Sequence, residues 1–312
     1  MTMALRYKKK VLLCKLETTY GVDASPTGAA NAMLAKDINI QPMEGSDAER
    51  GHDQPFLGND GSIPYDLHSK VSFKVELAAS GSAGVAPAWG PLIRACGAAE
   101  TITASTSVEY NPISDAFESA TIYVNIDGTL YSLLGTRGTA TFRVNASAIP
   151  EIEFEMTGLW TKPVAAALPT PDVSAFQKPL LGSAANTPTF TIDGAAHVMR
   201  NFALTMGNQI EARFLIGQES IEIIDRADMI ETQIEAVDLA TLDPFALARD
   251  QSDVAVSLVH GKTAGNIITI NAPAAQMQRP GSPVEAQGIK EWPLNLAPKP
   301  VAGNDQWTLT LT

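Results

Sequence analysis

Cysteine is nearly absent: 312 residues carry two, Cys14 and Cys96. That count excludes a disulfide framework and suits a reducing compartment. Free cysteine commonly packs as a small buried hydrophobe, and both residues fall in apolar segments. Long apolar runs are also missing. Nothing approaches the roughly 18 apolar residues that a membrane-spanning helix needs. The first run, Val11-Leu12-Leu13-Cys14, stops at Lys15. It is too short for a secretory signal core, and no small-residue cleavage site follows. The expectation is a chain made and kept in a cytoplasm unless it leaves inside an assembly. Charge is sparse, 18% of residues against roughly 25% in ordinary soluble domains. Either neighbours cover much of the surface, or Ala, Thr and Ser simply fill the strands and loops. Cations are outnumbered, with a formal net charge of −12. Such a surface repels nucleic acid and anionic membranes, although DNA can pass close by without sticking.

The usual signatures of catalysis are missing as well. Of His52, His68, His197 and His260, none forms an H-x-x-x-H pair and none sits near a cysteine, which argues against a zinc site. No G-x-S-x-G elbow, Walker loop or G-x-G-x-x-G after a strand is found. Asn59-Asp60-Gly61 resembles part of a calcium loop but lacks its downstream Glu, and reads as a turn. Asn145-Ala146-Ser147 fits a glycosylation sequon without the secretory signal that would make it meaningful. Nothing favours a carboxylate pair of glycoside-hydrolase type. The expectation is no enzyme, no cofactor and no metal.

What is present is a β plan stated twice. Length allows two domains. A Pro-rich stretch, Thr161–Pro188, reads as a semi-extended spacer between halves 1–160 and 189–312. In the first half, Val11–Glu17 reads as a strand or extended arm. Lys36–Ile40 and Val71–Leu77 alternate polar and apolar residues as half-buried strands do. Between them, Glu44–Ser69 holds four glycines and two prolines and reads as a long irregular loop. Pro87 suits the first turn of a helix whose apolar face is Trp89, Leu92 and Ile93, with Gly97 as C-cap. Asp127-Gly128 marks a hairpin after Thr121–Ile126. Gly138–Asn145 and Glu151–Met156 complete the half.

In the second half, Arg200–Leu204 echoes Lys36–Ile40, and Ile230–Val237 echoes Val71–Leu77. Asp243-Pro244 starts a helix with an N-cap and a proline at N1. Val254–Val259 echoes Thr121–Ile126, and Gly265–Ala272 echoes Gly138–Ala146. The long loop and the spacer have no counterpart in this reading. The expected fold is mainly β, a sandwich or small barrel with a short flanking α-helix, duplicated in tandem. Carboxylates line single strand faces: Glu151, Glu153 and Glu155, then Glu231 and Glu235. They read either as a solvated outer face or as the wall of an assembled channel, where an acidic lining keeps DNA sliding.

Several segments together resemble a known family: Leu16–Gly21, Pro64 leading toward Val71–Leu77, Ala86–Gly97, Gly158-Leu159 and Ala203–Gly207. They are similar to the tail tube (major tail) proteins of long, non-contractile-tailed bacteriophages (siphophages), over nearly the whole chain. The most specific piece, Trp89–Gly97, carries no catalytic site. The resemblance implies rings that stack into a tube through which DNA leaves the capsid. A two-domain chain would then form trimers with pseudo-sixfold symmetry. Implied partners are further copies of the chain, the tape measure protein, the tail terminator and the distal tail or baseplate proteins. DNA passes without specific binding and no membrane is involved. The implied location is the virion tail, after synthesis and assembly in the host cytoplasm. The long loop then becomes an arm toward the next ring, with Glu44, Arg50, His52, Phe56, Leu57 and Asp60 as its candidates. Met1–Lys15 and the spacer are further candidates for reaching neighbours. The alternative is a non-enzymatic decoration or receptor- or carbohydrate-binding module of two β-sandwiches.

Overall fold

The structure, a computed structural model, describes residues 4–312; Met1–Met3 of the candidate N-terminal arm lie outside them. The first half contains β1 (Lys10–Leu16), α1 (Gly28–Asn31), β2 (Ala32–Met33), β3 (Ala35–Glu49), β4 (Ser62–Glu76), α2 (Gly90–Ala95), β5 (Ala98–Thr103), β6 (Ser107–Pro112), β7 (Ala120–Ile126), β8 (Thr129–Asn145) and β9 (Glu151–Trp160), and the Pro-rich stretch contains β10 (Val164–Ala165). The second contains β11 (Thr189–Ile192), β12 (Ala195–Ala196), β13 (Met199–Thr205), β14 (Asn208–Leu215), β15 (Gln218–Arg226), β16 (Met229–Glu235), α3 (Pro244–Arg249), β17 (Asp253–His260), β18 (Ile268–Met277), β19 (Val284–Ala286), β20 (Ile289–Pro298) and β21 (Thr308–Leu311). The fold is mainly β, with three short helices among the described residues.

Strand pairing follows one order in both halves, antiparallel throughout. In the first it runs β1–β7–β8–β9–β4–β3. In the second it runs β11–β17–β18–β20–β16–β13. The short strands follow suit. β2 lies on β1 and β12 on β11. β10 lies on the start of β8 and β21 on the start of β18. The β5–β6 hairpin belongs to the first half alone and receives β21 at its edge. A backbone ladder between β13 and β8 makes the two halves one sheet. One apolar cluster underlies it, with Phe73, Phe142 and Phe154 from the first half and Phe202, Trp292 and Trp307 from the second.

Local chemistry explains the turns. The β7–β8 hairpin turns at Asp127 (φ 25°) and Gly128 (φ 98°), both in the left-handed region that a two-residue turn demands. Gly97 closes α2 at φ 76°, its N–H donating to Arg94 O at 3.0 Å. The helix itself starts later than Pro87 suggests. Gly90 N–H donates to Pro87 O at 2.9 Å in a preceding turn, and Pro91 takes the first helical turn. Trp89, Leu92 and Ile93 are buried as their spacing implies. At α3, Asp243 caps the N–H groups of Phe245 and Ala246. Cys14 and Cys96 are free and buried, and burial pushes the Cys14 thiol up to about 12.

Four expectations need correction. Glu44–Ser69 is not irregular: β3 and β4 are 15 residues each and form a long hairpin, leaving 50–61 as its tip. Both hairpin faces meet solvent near the tip, so no apolar alternation marks the strands. Gly45 sits at a register shift, where a Cβ would come within 2.6 Å of Tyr65 O. The Pro-rich stretch is extended but no free spacer. Asp172 N–H bonds Gly28 O, Gly182 N–H bonds Ala148 O, and Ser147 N–H bonds Gly182 O. The segment Gly265–Ala272 does not match Gly138–Ala146: Thr269 lies opposite Val259 at the start of β18, as Thr129 lies opposite Ile126 at the start of β8. Finally, Val11–Lys15 does not reach out as part of an arm: it lies in β1, the strand alternative for Val11–Glu17, with Val11–Cys14 buried.

Phe142 is fully buried below the β8–β13 ladder and meets Trp307 edge-on at 6.1 Å. Phe142→Ala is expected to cost about 3–5 kcal/mol, read as a lowered urea midpoint at unchanged m-value.

Candidate assembly surfaces

Chemistry on this molecule is a matter of surfaces. Among the described residues, no group of three His, Cys, Asp or Glu is placed to hold a metal ion, and no helix is long and apolar enough to cross a membrane. Three features stand out: the polar face of the joined sheet, two hairpin arms, and two open strand edges.

The polar face runs from β3 through β4, β9, β8 and β13 to β16. Its apolar underside is the core, because successive residues of a strand point to opposite faces. The five candidate carboxylates all sit on the upper side, but not as a bare acidic stripe. Glu151 accepts from Lys36 Nζ at 2.5 Å, and Glu153 pairs with Lys74 at 2.9 Å and Arg143 at 2.7 Å. Glu155, Glu231 and Glu235 are exposed. Glu231 shares a shallow depression with Arg143 and Arg200. The cations come from other strands, which is why reading β9 alone made the face look purely acidic.

The second half repeats the pairing chemistry. Glu291 on β20 lies opposite Glu235, as Glu151 on β9 lies opposite Glu76. Each takes a cation from the edge strand of its half: Lys36 from β3, Arg200 from β13. Arg200 binds Glu291 through Nε at 2.7 and 2.9 Å and through Nη2 at 2.5 Å, and Gln233 Nε2 adds a bond at 2.5 Å. Arg200 thereby holds the Glu291 carboxyl below the usual glutamate range, against an opposing effect of burial. At Glu153, burial pushes upward, but bonds from Arg143 and Lys74 outweigh it and the net shift is down.

The first arm is the β3–β4 hairpin. At its tip, Asp60 accepts from His52 N–H at 2.9 Å, from the His52 ring at 2.6 Å and from Gln54 at 2.7 Å. That closure holds Phe56 and Leu57 out in solvent, at 75% and 105% exposure. Arg50 is exposed at the foot of the tip, while Glu44 lies back in β3 opposite His68.

A second arm went unread in the sequence. β14 and β15 form their own two-stranded sheet, with Leu215 and Ile216 exposed at the tip. It emerges between β13 and β16, just as the first arm emerges between β3 and β4. The alternation Gln209–Phe214 and the turn residue Gly217 were the available signal. Its base is clamped to the first half. Arg137 donates to Ile221 O at 2.8 Å, and Ile221 N–H donates to Tyr20 Oη at 2.6 Å. Asn208 donates to Cys96 O and Gly138 O, and Arg226 to Gly97 O. The arms approach one another where the rings of His68 and Phe214 are 6.3 Å apart.

The model of one protein family, described as phage tail tube protein, matches residues 8–311. This chain belongs to the phage tail tube protein family. The matched residues take in both halves, the joining ladder and both arms. No curated protein sequence matches the chain. As a member of this family it is a structural component of the phage virion and assembles with itself and other tail proteins into a tube.

The ion pairs set an acid limit on this tail tube protein. Glu291 has a folded pKa below its ordinary 4.5, so its stabilising contribution is complete above that value and is lost as pH falls through the depressed one. Urea midpoints should be flat at neutral pH and drop below about pH 4.5. Glu291→Gln should lower the plateau and flatten that acid limb; an unchanged limb would show that the pair does not couple to folding.

Proposed function

We propose that this protein builds the tail tube of a siphophage as trimeric rings, each chain supplying two equivalent tube units. The units are residues 1–160 and 189–312, strapped together by 161–188. The observation that carries this reading is the repeated pairing order, joined by the β8–β13 ladder. Three copies of a chain with two like units place six of them around an axis, a closed arrangement that leaves few sheet edges open. Rings then stack into a non-contractile tube. The tube continues onto the tape measure, terminator and distal tail or baseplate proteins, and DNA is ejected through it into the host.

In this reading the polar sheet face lines the channel. Glu155, Glu231 and Glu235 supply exposed negative charge there, and the paired Glu151 and Glu153 keep cations from standing free. A wall on which Lys36, Lys74 and Arg143 are paired, with Lys70 the exposed exception, holds phosphates weakly. The two arms reach the adjacent ring. Their apolar tips, Phe56-Leu57 and Leu215-Ile216, are the type of exposed patch that marks a contact surface.

Electron microscopy of the purified protein or of virion tails tests the proposal. Stacked rings with threefold and pseudo-sixfold symmetry around an open channel are expected; a persistently monomeric protein absent from tails overturns it. Replacing residues 50–61 by a two-residue turn should leave folded rings that no longer stack, and normal tubes from that variant would remove the arm's role. Glu155→Lys should leave tubes intact and slow DNA release several-fold. An unchanged release rate would take Glu155 off the channel wall.

A further inference from the structure

The ladder inside the chain is a template for the contact between chains. Asn201, Phe202, Ala203, Leu204 and Thr205 of β13 lie opposite Asn145, Val144, Arg143, Phe142 and Thr141 of β8. The ladder is bounded by Ala146 N–H donating to Arg200 O at 2.8 Å and Met206 N–H donating to Ala140 O at 2.9 Å. That phase makes Ala203 and Arg143 a non-hydrogen-bonded pair.

Each partner has a counterpart in the other half. Leu204 lies opposite Ile230, which lies opposite Leu296; Ile40 lies opposite Val71, which lies opposite Met156. Lys36–Gln41 of β3 therefore correspond to Arg200–Thr205 of β13. Arg143 lies opposite Glu151 and Val284 lies opposite Glu291, the two cation-bound glutamates. Val284–Ala286 of β19 therefore correspond to Arg143–Asn145 of β8. Among the described residues, β3 pairs only with β4 and β19 only with β20. Each keeps one open edge, and the two edges are the missing halves of a second ladder like the first.

The β3 edge is not left bare. Lys10 Nζ donates to Ile38 O at 2.6 Å, occupying the carbonyl that corresponds to Phe202 O in the internal ladder. A lysine capping an edge carbonyl discourages indiscriminate strand pairing and is readily displaced by a matching strand.

We propose that β3 of one copy adds to β19 of a second copy, with Asp37 opposite Ala286, Ile38 opposite Glu285 and Asn39 opposite Val284, and that Lys10 releases Ile38 as the strand docks. The occupant is a second copy because the chain already makes this contact with itself through β8 and β13. Pro283, which falls opposite Ile40 in this register, has no N–H to donate and ends the ladder beyond the Asn39–Val284 pair. The contact is head-to-tail, so it closes only as a ring. It rests on the ring-forming reading above and gives that reading its joint.

A disulfide across the joint tests it. Asn39 and Val284 are exposed in the lone chain. As a non-hydrogen-bonded pair their Cα atoms would lie about 4.5 Å apart, within the span a disulfide bridges. The native thiols are buried and do not compete. Oxidised rings of Asn39→Cys/Val284→Cys should run mostly as covalent trimers on a denaturing gel, and each single variant as monomer. Ala203→Cys/Arg143→Cys should close inside one chain without changing its size. Rings that form but do not cross-link overturn the joint and leave the ring reading standing. A wild-type protein that never forms rings overturns both. As a second variant, Glu285→Pro removes an N–H that only the joint uses. A folded, monomeric protein by circular dichroism and sedimentation is expected, and rings from that variant would also overturn the joint.

Discussion

The rest of the architecture depends on the shared edge of β8. That strand is 17 residues long, far more than β7 covers. It serves β7 with its first half and β13 with its second, while β9 occupies its other side. Backbone N–H and C=O groups cannot be left unpaired away from water without a cost comparable to a lost hydrogen bond. A strand that outruns its hairpin partner therefore has to find a second one. Here it is β13, and satisfying β8 fuses two sheets and two apolar undersides into one. Gly138 lies at the changeover, where a Cβ would fall 2.3 Å from Glu155 O. Its carbonyl takes the Asn208 side chain at 2.8 Å, which anchors the second arm at the same point.

Because the two halves share a sheet, they also share a polar face, and its charges belong to the sheet rather than to any strand. Carboxylates from β9 meet cations from β3, β4 and β8, and the same exchange recurs around Glu291. The half-exposed pairs of Glu151 and Glu153 contribute little stability individually, whereas the Glu291 carboxylate is buried and depends on its partners. The larger consequence of the pairing is a surface with few free cations. For a tube wall, that surface matters more than net charge, since phosphate is held by unpaired Lys and Arg.

The arms follow a different rule. Neither hairpin has an apolar face long enough to bury along its whole length, so each is stable where its base is clamped and exposed where it projects. The second is held by Arg137, Asn208 and Arg226 reaching backbone carbonyls of both halves. The exposed tips, Leu57 and Ile216 above all, are costly in a lone chain and suit a molecule whose working state is assembled.

Much of this was legible in the chain. Period-two alternation located Val71–Leu77, Glu151–Met156 and Ile230–Val237, the last overrunning a strand that ends at Glu235, because a half-buried strand writes its burial into every second residue. Asp127-Gly128, Gly97 and Asp243-Pro244 were legible because left-handed turns and helix caps restrict residue type. The echo of Lys36–Ile40 in Arg200–Leu204 falls in the observed register. The first arm was illegible as strands for the converse reason: where both faces meet water near its tip, composition carries no period, whereas the second arm does alternate over Gln209–Phe214. The false match of Gly265–Ala272 to Gly138–Ala146 came from similar residues at different positions along equivalent strands. The amino-acid sequence by itself determined the mainly β fold, its turns and its repeated elements, since those rest on local sterics and alternating burial. Only the tertiary structure decided that β13 pairs with β8, that Lys36, Lys74 and Arg143 neutralise Glu151 and Glu153, and that β3 and β19 keep open edges. Backbone groups pair without regard to side-chain identity, and the charges that meet across a sheet come from strands far apart in the chain.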